Sequence, residues 1–203
     1  KPMVRMFDHR QAHAQGFDFT LIETMPLGHI EEDRTDQFLS LKTVRDDLSS
    51  FWTLTDLDDK TGSTLMLHDL PGLATPRVLL VSLGKAEELS DKTYRDAVSA
   101  AAKRLADSVA GDAAFCLADA EIPHRDLAWR LAQAAQILQD STYRCDDLKS
   151  KKEESKKGIK KLVFLVKGKE TEELEAAVRR GDAIAEGMAL TKTLGNLPAN
   201  VCT

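Results

Sequence analysis

The chain has 203 residues, of which 42% are hydrophobic and 30% are charged, and these values argue against a wholly disordered protein. Its 28 basic and 33 acidic residues give a net charge of −5, which argues against a dedicated nucleic-acid-binding protein. Three widely spaced cysteines do not form a disulfide framework, and no stretch approaches the roughly 18 apolar residues that span a membrane. We therefore expect a soluble, cytoplasmic, globular protein with no membrane partner.

The first 60 residues contain two predicted elements. Residues 17–24 (FDFTLIET) are rich in β-forming residues and partly alternate, which predicts a strand. Thr35 or Asp36 begins a predicted helix over residues 35–52. Its apolar side chains recur every three or four residues, as one helix face requires. They are Phe38, Leu41, Val44, Leu48 and Phe51.

The middle of the chain alternates strands and helices. Short apolar runs predict strands at residues 64–67, 77–83 and 113–118, the second of them buried on both faces. A helix is predicted to begin at Ser90 or Asp91 and to stop at Gly111. Its apolar stripe comprises Tyr94, Ala97, Val98, Ala101, Leu105 and Val109. We place Pro123 in the first turn of the next helix, whose apolar positions run from Leu127 to Leu138.

The last third of the chain repeats this alternation. A polar run over 149–158 precedes a predicted strand at 162–166, and Thr171 with its following acidic residues opens a helix over 171–195. Strands that alternate with helices indicate an α/β fold, a layered and mostly parallel sheet flanked by helices.

No motif in the sequence supplies a catalytic constellation. The dinucleotide fingerprint, the P-loop, the H-E-x-x-H zinc motif and the G-x-S-x-G elbow are all absent from the sequence. Cys116 lies in an apolar run with no neighbouring positive group, so we interpret it as a small buried hydrophobe rather than a nucleophile. We assign no catalytic residue, no metal ligand and no cofactor to this chain.

A lysine-rich run is the one candidate nucleic-acid contact. Two readings remain open, because Glu153 and Glu154 interrupt the charge and no aromatic residue interleaves it. The run could contact phosphates, or it could be a solvated loop between a helix and a strand. Its lysines are Lys149, Lys151, Lys152, Lys156, Lys157, Lys160 and Lys161.

Two blocks of sequence resemble leucyl aminopeptidases, the cytosol aminopeptidase family, and bacterial members look closest. Residues 181–203 (GDAIAEGMALTKTLGNLPANVCT) resemble the segment that joins the two domains of that family. Residues 60–71 and 77–85 are similar to the central strands of its N-terminal domain. The residues that match the joining segment are Asn196, Pro198, Asn200, Cys202 and Thr203.

The resemblance implies a domain division and a role. It implies an N-terminal α/β domain similar to macro domains over 1–170, of which 1–60 match poorly, and an interdomain helix with the start of a catalytic domain over 171–203. The longer protein would be a hexameric exopeptidase that uses two divalent ions, Mn or Zn, to remove N-terminal residues such as leucine from peptides. Its catalytic and metal-binding residues would lie beyond Thr203, so we expect this chain to be inactive by itself.

The resemblance also implies binding partners, and one alternative function remains open. The partners would be the chain's own catalytic domain, further copies in the hexamer and, for the longer protein, a peptide substrate. In this reading the chain supports assembly and access to the active site. The alternative is a DNA-binding or nucleotide-type ligand-binding module that uses a macro-like fold, in which ligands sit at the carboxyl ends of the strands.

Overall fold

The computed structural model describes residues 3–8, 20–24, 60–68, 76–108, 110–116, 118, 120, 122–145, 159–166 and 171–197. Within these ranges the strands are β1 (Met3–Asp8), β2 (Thr20–Thr24), β3 (Thr64–His68), β4 (Arg77–Ser82), β5 (Asp112–Phe115) and β6 (Lys161–Val166). The helices are α1 (Asp91–Ala106), α2 (Leu127–Asp140) and α3 (Glu172–Asn196), and a short 3-10 turn covers Ala86–Glu88.

The six strands form one sheet in the order β1-β6-β5-β2-β4-β3. The strand β3 pairs antiparallel with β4, and every other pairing among these strands is parallel. The chain passes from β4 through α1 to β5, and from β5 through α2 to β6. The predicted α/β class is confirmed, and the likeness to macro domains stays a prediction.

The central strands are buried because their sequences are almost continuously aliphatic. In β4 the residues from Val78 to Val81 are all at most 2% exposed, as a strand covered on both faces requires. In β6 Phe164 lies edge-on to Phe115 of β5, with ring centroids 5.2 Å apart. On the opposite face of these two strands, Val163 and Ala114 form a second buried cluster with Leu165.

The helices begin where short polar side chains satisfy the first backbone N–H groups. Ser90 caps α1 in a capping box with Thr93, and Asp126 caps α2 by accepting from the N–H of Trp129 at 2.7 Å. Thr171 caps α3 by accepting from the N–H of Leu174. The predicted starts at Ser90 and Thr171 are confirmed.

Three predicted boundaries are wrong. The helix α1 ends at Ala106 rather than near Gly111, because the Ser108 hydroxyl donates to the Leu105 carbonyl and accepts from the N–H of Ala110. Pro123 precedes α2 instead of lying in its first turn, because Asp126 supplies the cap. The strand β5 ends at Phe115, three residues before the predicted end.

The N-terminal region differs from the sequence prediction in its strands. Within the predicted strand at residues 17–24, the structure describes β2 at Thr20–Thr24, which follows β1 in the described part of the chain. The first strand, β1, was not predicted; it pairs in parallel with β6, with Met3 opposite Lys161. The predicted helix over 35–52 lies outside the described residues, as does Val109 of the predicted α1 stripe.

Candidate interaction surface

The predicted lysine contact falls mostly outside the described residues. Lys149, Lys151, Lys152, Lys156 and Lys157 are among those not described. Lys160 is exposed and Lys161 is half-buried at the start of β6. The Lys160 backbone N–H donates to the carbonyl of Gly111 at 2.7 Å, which aligns β6 with β5. These two lysines alone do not form a phosphate-binding surface, and DNA contact by the run stays a prediction.

The described residues do not fit a metal centre. Within the residues that the structure describes, no three His, Cys, Asp or Glu side chains come together as ligands. Cys116 follows β5 and is half-buried, which is more exposed than its sequence context suggested, and Cys145 is also half-buried. Among the helices of the described ranges, none is long and apolar enough to cross a membrane.

An exposed charged cluster ties the start of α1 to the start of α2. The Arg125 guanidinium donates to both carboxylate oxygens of Asp91, at 2.8 and 2.5 Å, and lies 4.7 Å from the centroid of the Trp129 ring. Arg95 lies near the same ring, at 5.4 Å, and donates to the side chain of Gln133 at 2.7 Å. Arg125 forms an ion pair with Asp91, and Arg95 contacts Gln133 and the Trp129 ring, so the cluster acts as a clasp between the two helices.

The electrostatics of this clasp shift the pKa values of both partners. The hydrogen bonds from Arg125 lower the pKa of the Asp91 carboxyl, and the same bonds raise the pKa of the Arg125 guanidinium. Partial desolvation works against both shifts without reversing them. Because the pair is exposed to solvent, we treat it as a minor contributor to stability.

A buried arginine that no sequence pattern singled out holds the connection between β5 and α2. Arg130 is 9% exposed, and its guanidinium donates to the backbone carbonyls of Ala120 and Asp126. The hydroxyl of the buried Tyr94 in α1 donates to the Arg130 carbonyl at 3.2 Å. The buried Arg130 guanidinium thus supplies hydrogen-bond donors to two backbone carbonyls, which is a structural role.

The helices α2 and α3 approach each other closely at a glycine. A Cβ atom built at Gly181 would overlap the carbonyl oxygen of Ala132 and press on the side chain of Ala135. Ala177, Gly181 and Ala185 are small and buried on this face of α3. Small side chains therefore allow the backbones of the two helices to lie in contact.

Polar contacts extend this packing towards the end of α3. The Gln139 amide donates to Asp182 at 2.7 Å, and the Lys192 ammonium donates to Asp140 at 2.5 Å. The Gln139 Oε1 atom is buried and makes no hydrogen bond within the described part of the chain. Tyr143, beyond α2, lies within 3.2 Å of the side chains of two residues near the end of α3.

A second face of α3 is apolar and exposed. Ile184, Leu190 and Leu194 are 44%, 61% and 53% exposed, and they are the only large apolar side chains exposed among the residues the structure describes. Gly187 lies between them, and a Cβ built there would meet nothing within 4 Å. We call the surface formed by Ala183, Ile184, Gly187, Leu190 and Leu194 the α3 ridge.

Comparison with known proteins places the chain in a family. The family model for the cytosol aminopeptidase family, N-terminal domain, matches residues 31–152. The chain belongs to the cytosol aminopeptidase family. A probable cytosol aminopeptidase from Azoarcus sp. is 57% identical over 150 residues, and one from Aromatoleum aromaticum is 52% identical over 151 residues. The chain thus aligns over 73% of its own length but spans only 30% of either relative.

Solved structures of this kind share the fold at low sequence identity. A leucine aminopeptidase variant from tomato superposes with a TM-score of 0.70 at 20% identity, over 99% of this chain and 39% of that one. The bottromycin maturation enzyme BotP superposes with a TM-score of 0.64 at 21% identity, over 92% of this chain and 34% of that one. BotP has also been solved in complex with Mn.

Proposed function

We propose that the chain is the non-catalytic N-terminal domain of a metal-dependent aminopeptidase that removes N-terminal residues such as leucine from peptides in the cytoplasm. The observation that carries the proposal is the match of residues 31–152 to the N-terminal domain of the cytosol aminopeptidase family. The relatives' length supports it, because more than two thirds of each relative lies outside the aligned region.

In this proposal the catalytic residues and two divalent ions, Mn or Zn, belong to a domain beyond Thr203. The Mn complex of BotP supports a divalent metal in the longer protein. The described residues of this chain do not fit such a centre, since they bring no three ligand side chains together. No step of the reaction is therefore assigned to them.

The role we propose for this chain is to support a hexameric assembly and access to the active site. Residues 1–170 would form the domain and residues 171–203 the connection to the catalytic part. The close packing of α3 on α2 supports a firm connection, because Gly181 lets the helix backbones touch. A flexible tether would need no such contact.

The test compares the full-length protein with the 203-residue chain. We expect the full-length protein with Mn²⁺ to release leucine from leucyl p-nitroanilide, and a chelator to abolish that release. The 203-residue chain under the same conditions should release none. Hydrolysis by the 203-residue chain would disprove its non-catalytic role, and an inactive full-length protein with every metal tried would disprove the aminopeptidase activity.

Assembly needs a separate measurement. Light scattering on the full-length protein should give the mass of six chains. A single chain at all concentrations would contradict the proposed hexamer and leave the activity test unaffected.

A further inference from the structure

We propose that the Tyr143 hydroxyl anchors the last turn of α3 to this domain and so fixes the direction in which the chain leaves it at Leu197. Tyr143 follows α2, which ends at Asp140, and its side chain is half-buried. The inference rests on the proposed function in one respect, that the chain beyond Leu197 leads into a catalytic part. It goes further by naming the side chain that sets the geometry of this exit.

The Tyr143 hydroxyl is the middle member of a directed chain of hydrogen bonds. Its oxygen accepts from the Asn196 side-chain amide at 3.2 Å and lies 3.2 Å from the Thr193 hydroxyl. The single proton of the Thr193 hydroxyl is donated to the Ala189 carbonyl at 2.9 Å, so the Tyr143 hydroxyl donates to Thr193. One hydroxyl group therefore serves as donor to one residue of the last turn and as acceptor from another.

The Tyr143 ring is itself held in place by contacts with α2 and α3. The Lys192 ammonium lies 5.4 Å from the ring centroid and donates to the Asp140 carboxylate at 2.5 Å. The backbone N–H of Tyr143 donates to the Asp140 carbonyl at 3.1 Å, which continues the end of α2 as a turn. A hydroxyl on a ring that is already fixed loses little conformational entropy when it binds the helix end.

The last turn of α3 is weak without such a contact. The buried residues of this helix end at Ala185, so no fully buried side chain holds its last turn. Gly195 lies in that turn, and in a helix interior glycine is less favourable than every residue except proline. Helix ends with few buried contacts are the places where local unfolding begins. The Tyr143 hydroxyl therefore supplies an attachment that the helix end otherwise lacks.

The anchored turn lies directly before the point at which the chain leaves the helix. The Leu197 backbone N–H donates to the Thr193 carbonyl at 3.1 Å, and Leu197 itself is extended, with φ −74° and ψ 136°. The chain spans only 30% of the relatives it matches, and the proposed catalytic part follows this exit. A last turn held by Tyr143 gives the exit one direction, whereas a turn that unwinds would act as a flexible tether.

The experiment measures amide hydrogen exchange of the full-length protein by mass spectrometry. Tyr143→Phe removes only the hydroxyl and keeps the ring beside Lys192. We expect exchange in a peptide covering residues 193–197 to become about five- to thirtyfold faster, because two neutral hydrogen bonds are lost. Peptides from α1 and β4 should exchange as before. An unchanged rate for residues 193–197 in Tyr143→Phe would overturn the proposal.

Two threonines of α3 provide a matched pair of variants. The hydroxyls of Thr191 and Thr193 each donate to the carbonyl four residues earlier, at 2.9 Å, and of these two only Thr193 contacts Tyr143. Thr193→Val should speed exchange of residues 193–197 by at least about threefold, through the lost bond to Tyr143. Thr191→Val loses the same kind of intrahelical bond and should leave that exchange unchanged.

The matched pair also separates this proposal from the proposed function. Equal acceleration by Thr191→Val and Thr193→Val would show that the helix's own bonds hold the last turn, and would overturn the role of Tyr143. Exchange rates require neither a metal ion nor a peptide substrate. They therefore test the anchor independently of whether the full-length protein releases leucine.

Discussion

The helices α1 and α3 bury their apolar residues in different ways. Every large apolar side chain of α1 is buried, from Tyr94 to Leu105, and the exposed side of that helix is polar or small. In α3 the buried set ends at Ala185, and the large apolar residues Leu190 and Leu194 that follow are exposed.

This difference indicates where the domain is complete. The core that α1 covers is closed by residues of this chain alone, because Leu79, Phe115 and Tyr94 all belong to one buried cluster. The second half of α3 is held at its α2 side by Lys192 and Asp140 but is open on the ridge. In the described part of the chain, α1 therefore covers a closed apolar core, whereas the second half of α3 carries exposed apolar side chains.

The largest expected effect compares one buried leucine of α1 with one exposed leucine of α3. Leu105→Ala should lower the free energy of unfolding by about 2–5 kcal/mol, because Leu105 is only 3% exposed and its removal leaves a cavity. Leu190→Ala should change it by less than about 0.5 kcal/mol. Urea unfolding of the 203-residue chain measures both, and equal losses would show that the ridge is already packed within this chain.

The two glycines of α3 should respond to alanine with opposite signs. Gly181→Ala should destabilise the chain by about 1–3 kcal/mol, because the new Cβ overlaps the Ala132 carbonyl and the helices must separate. Gly187→Ala should stabilise it by about 0.5–1 kcal/mol, because the site is open and alanine favours a helix. The same urea experiment reads both variants, and a stabilising Gly181→Ala would disprove the close helix contact.

The ion pair between Lys192 and Asp140 should contribute less to the free energy of unfolding than the buried Leu105 side chain does. Lys192→Met keeps most of the apolar stem and should lower the free energy of unfolding by about 0.5–1 kcal/mol, through the lost ion pair and the lost contact with the Tyr143 ring, 5.4 Å away. Arg179→Met, which removes an exposed pair with Glu175, should cost about 0.3–0.5 kcal/mol. Unfolding in 1 M salt should reduce both effects, and a salt-independent loss for Lys192→Met would assign its role to packing.

The smallest expected effect on stability comes from the exposed ion pair between Asp91 and Arg125 at the start of α1. The Asp91 pKa is lowered in the folded state, so the pair contributes stability above the ordinary aspartate pKa of about 4 and loses it as the pH falls towards the lowered value. A carboxyl carbon NMR titration should place the Asp91 midpoint below that ordinary value. In Arg125→Met the midpoint should rise, because the donor that lowers it is gone, and an unchanged midpoint would contradict the assigned cause.

Local sequence patterns predicted most elements of the described fold. The continuous aliphatic runs of β4 and β6 and the three-and-four spacing in α1 and α2 are properties of neighbouring residues, so they can be read directly. The caps at Ser90 and Thr171 are equally local. The joining segment at residues 181–203 indicated the family that the comparisons establish.

The ends of helices, and the pairing of strands that are distant in sequence, could not be predicted from local patterns. The end of α1 depends on one hydroxyl, that of Ser108, which competes for a backbone carbonyl. The strand β1 has no strong pattern of its own and is defined by its pairing with β6, more than 150 residues later in the sequence.

For the α3 ridge, the sequence by itself determined the helix and its apolar residues, because helix periodicity is a local property. Only the tertiary structure decided which of those residues are covered. The face with Gly181 and Ala185 meets α2 because small side chains let the two backbones touch, and this leaves Leu190 and Leu194 on the opposite, exposed side. Burial depends on what lies across a contact, and that information resides in the other element rather than in the helix itself.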